Sequence, residues 1–72
     1  MLRVAITVRG KWDAQAIYDI LTSPTYPATI EHRGLGWYIV TYPAIPPVSL
    51  EEEQSWLEEA FPRTKMTLRI KD

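Results

Sequence analysis

The 72-residue chain predicts an α+β fold of the β-α-β-β-α-β kind, and three observations carry that expectation. Residues 2–9 and 65–71 alternate apolar and polar side chains with the period of a strand covered on one face. Residues 13–22 and 50–61 repeat apolar residues at helical spacing. Between the helices, Gly36-Trp37-Tyr38-Ile39-Val40-Thr41-Tyr42 is a run of β-formers apolar at nearly every position, which suits the middle of a sheet. Taken in chain order these elements make the split βαβ, or ferredoxin-like, pattern: a four-stranded antiparallel sheet with both helices on one face. Right-handed crossovers then place the first and third strands in the centre, where the most apolar strands are needed.

Strand one, residues 2–9, sets Leu2, Val4, Ile6 and Val8 on one face and Arg3, Ala5, Thr7 and Arg9 on the other. Gly10 ends it, and Asp13 is the expected N-cap of the first helix, with Trp12 stapled onto Ile17. Ala14, Ile17, Tyr18 and Leu21 form the buried stripe, with Ile20 on its flank, and Pro24 stops the helix by Ser23. Thr25-Tyr26-Pro27 connects to a second strand over 28–33.

Gly34-Leu35-Gly36 admits either a two-residue turn opening with Gly34 or a three-residue loop with Gly36 at positive φ. The two options flip the third strand, 37–42. In the first, Ile30 pairs with Ile39, so Trp37, Ile39 and Thr41 face the core and Tyr38, Val40 and Tyr42 lie on the open face. In the second, Ile30 stands opposite Val40 and the tyrosines go inside. Tyrosine tolerates a half-wet surface better than tryptophan or isoleucine, which favours the first.

Pro43 to Val48 contains three prolines and reads as a stiff crossing segment, neither helix nor central strand. Ser49 and Glu52 match a capping box, and Glu51 to Glu53 complement the positive end of the helix dipole. Leu50, Leu57, Ala60 and Phe61 form the second buried stripe, with Trp56 beside it and Pro62 at the end. In the last strand, 65–71, Met66, Leu68 and Ile70 point inward and Thr67, Arg69 and Lys71 outward. The expected core is Ile6, Ile17, Leu21, Ile39, Leu57, Phe61 and Leu68.

Length and composition bound the function. The chain, residues 1–72, reads as a single domain near the lower size limit for a core without staples. Absence of cysteine removes a disulfide framework, a thiolate metal site and a cysteine nucleophile, and it fits a reducing compartment. The opening residues are too few and too polar for a signal peptide or a membrane span, so a cytoplasmic protein without a membrane partner is expected. Net charge is -1, against generic polyanion binding. Its distribution is uneven, however. Asp13, Asp19, Glu51, Glu52, Glu53, Glu58 and Glu59 fall in helices, whereas Arg3, Arg9, Arg33, Lys65, Arg69 and Lys71 fall in strands, which makes the domain electrically two-sided.

On the favoured register the uncovered sheet face carries Arg3, Arg9, Arg33, Arg69 and Lys71 around Tyr38 and Tyr42. These are the candidate binding residues. Cations framing aromatics on an open sheet suit single-stranded nucleic acid, and also a protein partner that covers the face. Arg33-Gly34-Leu35-Gly36-Trp37-Tyr38-Ile39-Val40 resembles the first ribonucleoprotein signature of RNA-recognition-motif domains, which is basic-Gly-aromatic-Gly-aromatic on strand three. Leu35 replaces the first stacking aromatic, strand one has no aromatic for the second signature, and the resemblance requires Trp37 to point outward. Val8-Arg9-Gly10 resembles the start of the acylphosphatase phosphate cradle, but the chain then enters a helix without that family's glycine loop and second arginine. Heavy-metal domains of this topology use paired cysteines, which are lacking here.

His32 has no nominated partner on its own face, and the paired glutamates diverge around their helix. No catalytic role, cofactor or metal is therefore expected. The sequence points first to a non-catalytic protein-protein interaction module that uses its open sheet face or edge, either as a homodimer or as a regulator or inhibitor of a partner. Its alternative is a single-stranded RNA- or DNA-binding domain using the same face.

Overall fold

A computed structural model describes residues 2–44 and 49–71. These form β1 (Arg3–Arg9), α1 (Lys11–Leu21), β2 (Thr29–Gly34), β3 (Trp37–Pro43), α2 (Leu50–Ala60) and β4 (Met66–Lys71). One antiparallel sheet has the order β2-β3-β1-β4, with β1 and β3 central as the crossover argument requires. The fold is therefore the α+β, ferredoxin-like arrangement.

Alternation in β1 is realised as expected: Val4, Ile6 and Val8 are buried beneath the helices. Their partners share that face, because residues directly opposite in an antiparallel pair project to the same side. Val4 lies between Tyr42 and Ile70, Ile6 between Val40 and Leu68, and Val8 between Tyr38 and Met66. Ala14 and Ile17 of α1 and Leu57 of α2 close the core from above. Leu21 and Phe61, expected in the core, pack against it half-buried. Ala60 is exposed, at the end of the helix, where the stripe has turned away from the sheet.

The hairpin corrects the expected register. Ile30 pairs with Val40 and His32 with Tyr38, and a bulge between His32 and Gly34 precedes the Gly34-Trp37 pair. The turn holds only Leu35 and Gly36, at φ 55 and 80, both positive as a type I′ turn demands. Arg33 is the extra residue. It shifts the pairing by one position and turns every side chain of β3 over relative to the favoured reading, while Ile30 keeps to the core side. Tyr38, Val40 and Tyr42 thus face the helices, and Trp37, Ile39 and Thr41 face away. Ile39, placed in the core by the sequence, is half-buried on the open side. The gain is packing area: two tyrosine rings pack partly buried against the core.

Two helix details also differ. Gly10, at φ 107, is the N-cap of α1, and the helix begins two residues before the predicted start. The Gly10 N–H donates to the Gly36 carbonyl at 2.8 Å, which joins the helix entry to the hairpin turn. Asp13 therefore lies in the first turn, where its carboxylate accepts the Thr64 hydroxyl at 2.7 Å. Trp12 is 80% exposed and does not staple to Ile17. In α2 the Ser49 hydroxyl accepts the Glu52 N–H at 3.3 Å, as the cap predicts. Pro43 closes β3 opposite Arg3 rather than opening a crossing segment. Ala44 follows it, buried, donating to the Leu2 carbonyl at 2.9 Å, and residues 45–48 of the expected crossing lie outside the described residues.

Candidate binding face of the sheet

The face opposite the helices is assembled from four rows that cross the strands. Arg9 and Trp37 form the first, next to the turn; Glu31, Ile39, Thr7 and Thr67 the second; Thr29, Thr41, Ala5 and Arg69 the third; and Pro43, Arg3 and Lys71 the last. Small residues occupy the centre and cations the margins. Ala5 is fully buried and Thr41 only 8% exposed despite lying on the uncovered side, because longer neighbours stand around them.

Arg3, Arg9, Arg69 and Lys71 are exposed here. Arg33, at the bulge, pairs with Glu31 at 3.1 Å, the one salt bridge among the described residues. Both partners are over half exposed, so the pair adds at most about 1 kcal/mol to stability, but it offsets the only acid in these rows. The Arg9 guanidinium lies 5.8 Å from the centre of the Trp37 ring. Such a cation-π contact places a positive charge beside the indole ring. Trp37 and Ile39 are half-buried, so this surface is cationic with an aromatic floor rather than a broad apolar patch.

Of the candidate binding residues, the sheet thus brings Arg3, Arg9, Arg33, Arg69 and Lys71 to one face. Tyr38 and Tyr42 are not among them. Tyr38 stacks on His32 across the hairpin, ring centres 4.7 Å apart and planes 21° from parallel, on the helix side. Tyr42 is half-buried, and its buried hydroxyl lacks a hydrogen-bond partner among the described residues. Burial, with the Glu53 carboxylate nearby as the lesser cause, raises its ionisation well above the ordinary tyrosine range. Glu53 also accepts the Trp56 indole N–H at 2.6 Å. The aromatic that the open face does carry is Trp37, and the ribonucleoprotein-like spacing was the signal that pointed to it.

No helix is long and apolar enough to cross a membrane, and no cluster of His, Asp or Glu that could hold a metal occurs among the described residues. No protein-family model, curated protein or solved structure matches this chain.

Proposed function

We propose that the protein is a non-catalytic binding module that engages single-stranded nucleic acid across its open sheet face. The observation that carries this reading is Trp37 facing the open side beside Arg9, in the row next to the turn, on a face that Arg69, Arg3 and Lys71 continue toward its far end. A base stacks on an indole ring whatever its identity, while guanidinium and ammonium groups track the phosphates. The outward tyrosines that would have gained from a covering protein are already beneath the helices, which lowers the case for a sheet-face dimer. Fluorescence anisotropy with a labelled oligothymidylate tests the proposal. Trp37→Ala should weaken binding by about 1–3 kcal/mol, whereas Tyr38→Ala and Tyr42→Ala should act on stability alone. Absence of oligonucleotide binding by the parent protein would sink it.

One observation favours a protein partner as a second reading. Leu35, 92% exposed, and Trp12, 80% exposed, both stand at the end of the molecule where Gly10 and Gly36 are bonded. Exposed large apolar groups of this kind serve as interface anchors. If that end rather than the sheet face is the contact, Leu35→Ser and Trp12→Ser should abolish association in sedimentation, and Trp37→Ala should not.

A further inference from the structure

The connector between α1 and β2 is a tied loop rather than a slack one. Thr22 Oγ1 accepts the Ala28 N–H at 3.0 Å, Ser23 Oγ accepts the Tyr26 N–H at 2.9 Å, and the Ser23 N–H donates to the Tyr26 carbonyl at 3.2 Å. Pro24 and Pro27 restrict the backbone on either side. These bonds fix the backbone of Tyr26 and leave its ring, 45% exposed, beside a pocket of about 360 Å³. Tyr26, Pro27 and Pro43 give the pocket flat apolar walls, and Thr29 and Thr41 give it hydroxyls. Arg3 is the only charged residue among the described residues that line it.

We infer that this pocket receives one unstacked base of a single strand lying on the sheet face, with Arg3 on the adjoining phosphate. The inference rests on the nucleic-acid reading of that face and adds a second base contact, distant from Trp37. Continuity is the first argument. Arg3, Thr29, Thr41 and Pro43 belong both to the pocket and to the open-face rows, so a strand that runs along β3 from Trp37 reaches it after roughly 20 Å, six residues at about 3.3 Å each. Chemistry is the second. A planar heterocycle stacks against a tyrosine ring and proline faces, and a hydroxyl both donates and accepts, so the exposed Thr29 suits the edge of any base. A guanidinium with no carboxylate beside it among the described pocket residues suits a phosphate and disfavours a cationic ligand. The pocket therefore accepts bases with little discrimination.

The test compares a fluorescein-labelled oligothymidylate with an abasic oligomer of equal length. Tyr26→Ala should lower affinity for the oligothymidylate about five- to 150-fold, the range for loss of one stacked base, and leave affinity for the abasic oligomer unchanged. Tyr26→Phe should restore binding. Arg3→Ala should weaken both oligomers alike. Tyr26 contributes only backbone groups to the loop's hydrogen bonds, so the alanine variant keeps them, and an unchanged circular-dichroism melt checks this. Parent-like affinity of Tyr26→Ala for oligothymidylate, with Trp37→Ala still impaired, would overturn the pocket alone. Failure of the parent to bind either oligomer would overturn the face reading and the pocket with it.

Discussion

Leu35 occupies a backbone conformation that leucine rarely adopts. At φ 55 its Cβ crowds the following carbonyl, and with the side chain 92% exposed no packing compensates. Asn is the residue that a type I′ turn favours there. Leu35→Asn should therefore raise unfolding free energy by about 0.5–1 kcal/mol in urea titration; a fall would show that the side chain has a contact in solution. Tyr42 makes a second residue-scale case. Its raised ionisation means that the folded state holds the phenol neutral, so its contribution is fully present below the unfolded value near 10 and is lost as pH climbs beyond it. Tyr42→Phe should be neutral or up to about 1 kcal/mol stabilising at pH 7, since its buried hydroxyl has no hydrogen-bond partner among the described residues, and should flatten the decline above pH ~10. A loss greater than ~1 kcal/mol at pH 7 would mean that the hydroxyl is bonded.

At the scale of elements, α2 is held by a narrow contact. Its capped start and acidic first turn favour the helix locally, but Leu57 is its only fully buried residue, with Leu50, Trp56 and Phe61 packed partly around it. Leu57→Ala should cost about 2–5 kcal/mol through lost transfer energy and the cavity left behind. For a domain of this size that is a large share of total stability, and a thermal melt within a degree or two of the parent would contradict the assignment. The α1 entry depends on different forces. Gly10 at φ 107 turns the chain from strand to helix, and the space beside it is ordinary: an added Cβ would lie 3.7 Å from Asp13 Oδ2. The penalty of Gly10→Ala is therefore a backbone one, expected at about 1 kcal/mol or more in urea titration.

For the whole molecule, separation of charge resolves the conflict between a net charge of -1 and a cationic face. The protein measures 31 × 22 × 20 Å, so acids on the outer side of the helices lie more than a screening length of about 8 Å from a ligand on the far side of the sheet at physiological salt. A bound strand is governed by the near face. If Arg3, Arg9, Arg69 and Lys71 each meet a phosphate, log affinity should fall against log salt with a slope of about -3, and each Arg→Ala should reduce it by roughly 0.7. A slope near zero would indicate apolar recognition instead.

Periodicity determined the element order, the inner and outer sides of β1 and β4 and the gathering of Arg3, Arg9, Arg69 and Lys71 on one face, and the Ser49-Glu52 capping box fixed the start of α2. In each of these a local rule is unambiguous, since a strand polar on one side has only one way to lie against helices. The third strand obeys no such rule. Apolar on both sides, it satisfies either register within the hairpin, and the glycines around Leu35 permit more than one turn. The choice was made in three dimensions, where Val4, Ile6 and Val8 set which β3 residues join the buried face and the bulge at Arg33 took up the odd residue. That one-residue shift exchanged Tyr38 and Tyr42 for Trp37 on the open face. The pocket beside Tyr26 lay equally beyond the sequence, because it joins the α1–β2 loop to residues of β1, β2 and β3 that only the folded sheet brings together.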